Sequence, residues 1–549
     1  VKFLKVLNVL NPLLYYYKYS YRHRFPSDPY KQITKLTQNF QKKEELKKKV
    51  LIVPFRVSPV SNLFEGNCSL ILKSRGYHVD ALMCGQSVGY CDQIDFSLSK
   101  NLRCNLCFYE QQKFIKAYGV QGIFIEKYVS SDEKKRIRDE IETMNLNEIN
   151  EHFSYKGVPV YRSLSSAVML YFKSADFSLQ DNTKELKGFL ETIFLIITAL
   201  ENYFSENKVE FVLLSHGVYS TWGTVQEYCL SRGIKFVTWG REYHGAGVIA
   251  AHNASYLSEP LHESPSEWIN KPLSAKQRAE ITEYLQAKVG IGGKRFDYVS
   301  YYADSQKSVS KEEIYSQLNI KSDKPIVALL SSIPWDGQTF RPNIFFDDIN
   351  AWVYETIDWF AKRNDCILII RAHPAEKHAD GGNGGGLFEV LEKRYGSVLP
   401  ENIIFVPPES KIRSISIASI SCAALLYGST IGYETTFLKI PTILASEFFY
   451  TNKGITFDPK TKEDYFALIT AAIEGNLQVD AERFERLLQY AYHYQFRRIM
   501  PETLMDLNGL NFIKYKYTEL KDFVNDEVIN KFIDKCITGE KFYFDDCYD

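Results

Sequence analysis

Short apolar runs alternate with longer amphipathic or polar stretches along most of this chain. Residues 50–55 form a β-branched apolar run that predicts a first strand. A proline-containing loop at 56–62, a helix to about 75 and a second strand at 77–83 follow. The stretch 84–180 is less regular, with a cysteine cluster and a charged helix near 131–145. Helical periodicity returns at 184–207, and 211–214, 221–232 and 235–239 then read as strand, helix and strand. Residues 260–320 are polar, with one helix at 274–287 and a glycine-rich break at 290–293. The second half is cleaner. Strands at 325–331, 366–370, 403–406, 423–427 and 442–445 alternate with helices at 348–363, 387–394, 412–420 and 431–438. Beyond about 462 the pattern is mostly helical.

Strands that alternate with helices in this way imply parallel sheets covered on both faces. At 549 residues the chain is too long for a single core. The fold class expected is α/β, with two Rossmann-like domains and a helical C-terminal tail. The divisions expected are a basic aromatic extension at 1–48, a first Rossmann-like domain at 49–260 and a connector at 261–320. A second Rossmann-like domain at 321–461 and the tail at 462–549 complete the chain. No apolar stretch reaches the ~18–20 residues that span a bilayer. The longest, 189–200, carries Glu191.

Composition narrows the function classes. Hydrophobic residues make up 45% and charged residues 24%, ordinary for a globular protein. The formal net charge of -1 gives no global field for nucleic acid. Ten cysteines with no secretory signal argue for a reducing, cytoplasmic setting. The segment 1–27 is locally basic and aromatic, with Lys2, Lys5, Lys18, Arg22 and Arg24 and no acid. It suits either contact with an anionic membrane surface or packing on the body of the protein.

The candidate chemistry sits where strands end. Arg371-Ala372-His373-Pro374 follows one buried run and Gly428-Ser429-Thr430-Ile431-Gly432-Tyr433-Glu434 follows another. Open α/β sheets bind ligands at the carboxyl ends of their strands. Ser429 and Thr430 could cap the following helix or donate to a phosphate. Glu434 lies one turn further on the same face, placed to accept from ribose hydroxyls. Arg371 and His373 could donate to phosphate oxygens. Trp335 and Asp336 follow the strand at 325–331 and would lie at the same edge. The tract 381–386 lacks the Lys-Ser/Thr ending of a P-loop and reads as a loop.

In the first half Glu65, His216 and Glu242 are the candidates for a general base, with His244 beside Glu242. Cys84, Cys91, Cys104 and Cys107 form a C-x6-C-x12-C-x2-C array. They suit either a structural zinc or free, redox-active thiols. No D-x-D follows a strand, which argues against metal-dependent transfer, and catalysis is expected to need no cofactor.

Residues 369–376 (Ile-Ile-Arg-Ala-His-Pro-Ala-Glu), 427–434 (Tyr-Gly-Ser-Thr-Ile-Gly-Tyr-Glu) and 439–442 (Lys-Ile-Pro-Thr) resemble the capsule polysaccharide biosynthesis family. The segments 450–456 and Asp458-Pro459 extend the likeness, which covers about 325–465. That family includes Kdo transferases of GT-B architecture, which act in capsule and lipopolysaccharide assembly. The resemblance implies a nucleotide-sugar donor held by His373, Ser429, Thr430 and Glu434. It also implies inverting transfer to a glycan or glycolipid acceptor held by the first domain. Several Kdo enzymes carry Lys-Pro where this chain has Arg371-Ala372, so CMP-linked and UDP- or GDP-linked donors both stay open. A nucleotide-sugar 2-epimerase on the same fold and a non-catalytic assembly subunit are the alternative readings.

Overall fold

The structure is a computed structural model. It describes residues 28–38, 48–56, 59–92, 100–175, 183–242, 247–291, 310–333, 335, 343–378, 386–396, 398–508 and 511–548. Two sheets organise it. The first contains β1 (Lys49–Ile52), β2 (His78–Met83), β3 (Gln121–Phe124), β4 (Val212–Ser215), β5 (Phe236–Arg241) and β6 (Val248–His252). Their spatial order is 3-2-1-4-5-6, with β6 antiparallel to β5. The second contains β7 (Ile326–Leu330), β8 (Ile367–Arg371), β9 (Ile403–Val406), β10 (Ala423–Leu426) and β11 (Thr442–Leu444). All five are parallel, and β7 lies between β8 and β10. Both are Rossmann-like sheets, as the alternation of the sequence implied.

The central strands form where they do because each is a short apolar run with no exposed face. Every residue of β7, β8 and β10 is buried, the signature of a parallel sheet covered by helices on both sides. In the second domain the expected strand ends fall within one or two residues of the observed ones. The six-stranded sheet of the first domain holds two strands the pattern did not reveal. β3 is a four-residue edge strand with only Ile123 fully buried, so it lacks the apolar continuity of its neighbours. β6 is an antiparallel edge, outside the strand–helix rhythm.

The rest of the chain packs on these sheets. The connector is anchored to the second domain. Its helix Ala275–Val289, closed by a Ser274–Gln277 capping box, sends Ile281, Tyr284 and Leu285 into the second domain's core. Ile314 on Lys311–Gln317 joins them. The tail is mostly helical and reaches both domains. Ala481–Tyr492 packs on the second domain, but the chain then returns to the first. Met500 pairs with Val248 through two backbone hydrogen bonds of 2.8 Å. An antiparallel hairpin, β12 (Met505–Asn508) and β13 (Asn511–Tyr515), follows. The last long helix, Glu527–Thr538, sets Phe532 5.3 Å from Phe64 in the first domain.

Both crossings between the domains meet at Glu263. Its Oε1 accepts from His493 Nε2 at 2.9 Å and Tyr543 Oη at 2.7 Å, and it forms an ion pair with Arg498 Nη1 at 2.9 Å. Its carbonyl accepts from Lys453 Nζ at 2.7 Å. Arg498 also pairs with Glu259. Burial alone would raise the Glu263 carboxyl, but the His493 hydrogen bond and the Arg498 charge overcome it and hold it at about 2. Removing one partner of such a buried pair leaves the other charge uncompensated. We expect Arg498→Met to lose about 3–5 kcal/mol in urea or thermal unfolding. Because the carboxyl is depressed from 4.5 to about 2, its contribution is fully present above pH 4.5 and is lost as pH falls towards 2. The variant should therefore unfold with a weaker pH dependence across that acid window.

Candidate functional site

In the second sheet the topological switch point lies where β7 meets β10. The loops after β8 and β10 flank the loop after β7, so their roots stand two interstrand spacings apart, ~10 Å. His373 follows β8 and keeps part of its surface open. The Ala375 N–H donates to its Nδ1 at 3.1 Å. In the neutral ring that bond places the proton on Nε2, which makes Nε2 the donating nitrogen.

After β10 the backbone turns at Gly428, whose φ of +100° excludes side chains. Gly432 serves a different purpose. A Cβ there would lie 2.1 Å from the Tyr450 hydroxyl, which donates to the Ser429 carbonyl at 2.5 Å. Ser429 and Thr430 are both partly exposed. Thr430 takes the cap position of the seven-residue helix Ile431–Phe437 without a side-chain cap bond. Of the two roles open for that hydroxyl, the structure does not use capping.

The two loops are tied together through the end of β7. Glu376 accepts from the His373 N–H at 3.1 Å, the Leu387 N–H at 2.8 Å and the Ser331 hydroxyl at 3.4 Å. Ser332 donates to the Gly428 carbonyl at 3.0 Å. Burial pushes the Glu376 carboxyl up, against the two backbone donors and Ser331. Neither Ser331, Ser332 nor Glu376 stood out as a site residue in the sequence. A carboxylate three residues after the histidine that leads this loop was the one available signal.

Three expected donor residues take other positions. Arg371 is buried, and its guanidinium donates to the carbonyls of Ala372, Pro407, Ser410 and Ile412 at 2.5–3.2 Å. It braces the loop after β9 instead of facing a ligand. Glu434 stands 3.7 Å from Lys288 of the helix Ala275–Val289, so its carboxylate has a cationic neighbour before any ribose arrives. Trp335 is 8% exposed with the Lys173 ammonium 5.6 Å from its ring centre, which leaves no open stacking face. Asp336 and His244 lie outside the described residues.

Trp335 instead marks where the domains touch. The Tyr219 hydroxyl of the first domain donates to its carbonyl at 3.3 Å. Lys173 and Ser174 face Ser331, Ser332 and Glu376 across a pocket of about 30 Å³. That is room for about one water, so it records closure and not the volume of a ligand.

The first sheet's own switch point lies between β1 and β4. His216 follows β4 with φ +57°, and Tyr219 has φ +69°, both rare for side-chain-bearing residues. The His216 ring pairs with the Ser215 hydroxyl and stacks on Trp222 at 5.4 Å. Arg56 in turn sits 4.6 Å over Trp222. Burial, then the Arg56 charge, lowers the imidazole to about 4, so it is neutral near pH 7. Its surface is nonetheless partly open.

Glu65 and Glu242 differ from His216 in access and partners. Glu65, on the helix Pro59–Ser74, is 1% exposed and accepts from Trp239 Nε1 at 3.1 Å. Burial raises its carboxyl to about 8 against the Trp239, Ser215 and Val53 hydrogen bonds. Glu242 accepts from the Tyr494 hydroxyl at 3.2 Å. Cys84, Cys91, Cys104 and Cys107 all line one cavity of about 440 Å³. None of the four is in a disulfide, and among the described residues no group of three His, Cys, Asp or Glu is placed to hold a metal ion.

No protein-family model matches this chain, and no curated protein matches it. Among solved structures it is similar to the β-Kdo 2,4 transferase KpsC of Thermosulfurimonas dismutans. That likeness has 11% identity and a TM-score of 0.33 over 58% of this chain and 88% of the other. A UDP-GlcNAc 2-epimerase of Neisseria meningitidis, solved with UDP-GlcNAc, gives 10% identity and 0.29 over 81% and 96%. A glycosyltransferase of Rickettsia africae gives 11% and 0.27 over 90% and 100%. Scores this low carry no argument. The fold rests on strand order and the site on its own geometry.

A buried carboxyl raised from 4.5 to about 8 binds its proton in the folded state and releases it in the unfolded one. Stability must therefore fall as pH rises through that window, by up to ~1.4 kcal/mol per unit. Glu65→Gln keeps an acceptor for Trp239 and has no proton to lose. Melting curves from pH 5 to 9 should show the variant gaining on the parent as pH rises, and a constant difference would refute the assignment.

Proposed function

We propose that the protein is a nucleotide-sugar-dependent glycosyltransferase that extends a surface glycan of the capsule or lipopolysaccharide kind. The observation that carries this reading is the pairing of His373 with Ser429–Thr430. Their loops flank the switch strand β7, are bonded to its end, and keep partly exposed side chains. The donor's phosphate would take hydrogen bonds from His373 Nε2 and the two hydroxyls. These groups are fixed before the reaction and stabilise charge as it develops on the leaving phosphate.

The acceptor would lie in the first domain. Its hydroxyl oxygen attacks the anomeric carbon, the bond from that carbon to the phosphate oxygen breaks, and the bonding pair leaves with the nucleotide. The acceptor proton goes to His216. Of the three candidate bases, Glu65 is sealed from any substrate and Glu242 is engaged by Tyr494. His216 alone is neutral at pH 7, partly open and beside the switch point. Attack from the face opposite the phosphate inverts the anomeric centre, and no step in this scheme calls on a metal. The capsule and lipopolysaccharide assignment is supported by the motifs at 369–376 and 427–434. The basic segment 1–27 would hold the enzyme at the cytoplasmic face of the membrane that carries the acceptor. No helix among the described residues is long and apolar enough to cross a membrane.

Titrating CMP, UDP and GDP by calorimetry tests the donor site. We expect one of them to bind, and His373→Ala to abolish measurable turnover with an unchanged melting temperature. Retention of full turnover, or the absence of any nucleotide binding, would contradict the proposal. Interconversion of a labelled nucleotide sugar with no acceptor present would show an epimerase instead. His216→Asn should lower kcat by about 10²–10⁴ with nucleotide affinity unchanged, the range for a lost general base.

A further inference from the structure

All ten cysteines of the chain lie among the described residues, and none is in a disulfide. Four of them are gathered at one place. Cys84 and Cys91 lie on the loop after β2, Cys104 and Cys107 lie on the helix Lys100–Tyr118, and all four line the 440 Å³ cavity. Each of the four is partly exposed, whereas Cys68, Cys229, Cys366 and Cys536 are buried. A thiol that reaches solvent can meet an oxidant, and a sealed one is inert.

The local geometry selects one pair from the four. Cys84 opens its loop. The next two residues have positive φ, +60° at Gly85 and +66° at Gln86, and the Ser87 N–H closes the turn on the Cys84 carbonyl at 3.1 Å. That turn is bonded to the helix at two points. Gln86 Nε2 donates to Asn105 Oδ1 at 2.7 Å, and the Gly85 N–H donates to Gln111 Oε1 at 3.3 Å. Gln111 also donates to the Phe55 carbonyl at 2.7 Å, so this helix is fixed to the loops after both β1 and β2. Cys104 adjoins the asparagine that Gln86 grips and lies two turns before Gln111 on one helix face. Burial pushes the Cys84 thiol up against the backbone N–H groups of Val88 and Ser87, and the Cys104 thiol lies near enough to add to that rise. Cys91, at the other end of the loop, is held towards different partners. The Tyr90 carbonyl before it accepts from the Thr192 hydroxyl at 2.5 Å, and Asp92 after it accepts from the Ser220 N–H at 3.1 Å and hydroxyl at 2.6 Å.

We propose that Cys84 and Cys104 form a reversible redox modification site, at which a small-molecule disulfide converts the two thiols into a bridge between the loop after β2 and the helix Lys100–Tyr118. One cysteine thiolate attacks a sulfur of the small disulfide, whose S–S bond breaks and releases the first small thiol. The second cysteine thiolate attacks the cysteine sulfur of the mixed disulfide, and the second small thiol leaves. Two cysteines are oxidised, one disulfide is reduced, and the two cysteine protons end on the two released thiols. In a reducing compartment such a bridge is transient and follows the state of the small-thiol pool. Closed, it pins the cavity wall at the carboxyl edge of the first sheet. It also pins the start of the loop that carries Asp92, whose carboxylate holds the turn after His216. The site stands independently of the transferase reading.

The experiment treats the intact protein with oxidised glutathione, blocks the remaining thiols by alkylation and maps every cysteine by mass spectrometry without reduction. We expect a linked Cys84–Cys104 peptide, at a yield independent of protein concentration and reversed by dithiothreitol. Cys422 and Cys547, partly exposed elsewhere, should carry only glutathione adducts. Cys104→Ser should abolish the linked peptide and leave glutathione on Cys84. A bridge that fits the fold constrains the unfolded chain, so the oxidised protein should melt a few degrees above the reduced one.

Glutathione adducts on Cys84 and Cys104 without a bridge overturn the proposal, as does a dominant bridge to any other cysteine. A bridge that appears only together with modification of the buried Cys68, Cys229, Cys366 or Cys536 also overturns it, because oxidation then follows unfolding. An unchanged or lowered melting temperature on oxidation shows that the fold must deform to close the bridge, and contradicts the pairing.

Discussion

A single buried carboxylate, Glu263, holds the two sheets in register with one another. The chain leaves the first domain just before it and returns through His493–Arg498 just beside it. Lys453 from the second domain and Tyr543 from the final segment reach the same residue. Neither sheet needs this clamp to form, since each has apolar layers on both faces. What the clamp sets is how the switch points meet. Three donors and an ion pair on one glutamate fix both crossings at once, where a surface salt bridge would contribute little.

With the crossings fixed, the ends of β4 and β7 are brought to a common edge. The Tyr219–Trp335 bond and the Lys173–Trp335 contact are the visible result. On one side stand groups suited to a leaving phosphate, and on the other a neutral imidazole. The proposed chemistry divides along the domain boundary: charge stabilisation in the second domain, proton acceptance in the first. Each half is shaped by ordinary local causes. Gly428 permits the turn that exposes Ser429, and Ser331 and Ser332 lock the flanking loops to the strand between them.

The sequence made the second domain legible because its strands are short, wholly apolar and separated by helices of regular period. It pointed to a candidate site for the same reason: polar residues immediately after such strands lie at the edge where open α/β sheets bind ligands. It could not show where a side chain turns. Arg371 and His373 are two residues apart, yet the first braces backbone carbonyls and the second is partly open. Spacing could not show that the four cysteines line one cavity. That cavity is made by the loops after β1 and β2 and by three helices, Lys100–Tyr118, Tyr161–Phe172 and Thr183–Glu206, so no local window contains it. The hairpin at the end of the chain was readable in principle, since Asn508-Gly509 between apolar alternations is an ordinary hairpin signal. The helical character on either side masked it.

The account stands on one placement, that of the donor phosphate. The most direct test is an experimental structure with the bound nucleotide diphosphate or monophosphate. The account predicts a phosphate oxygen within hydrogen-bond reach of His373 Nε2 and of the Ser429 or Thr430 hydroxyl, at the end of β7. A nucleotide seated anywhere else, with His373 and the 429–430 loop both turned away from it, would contradict the account.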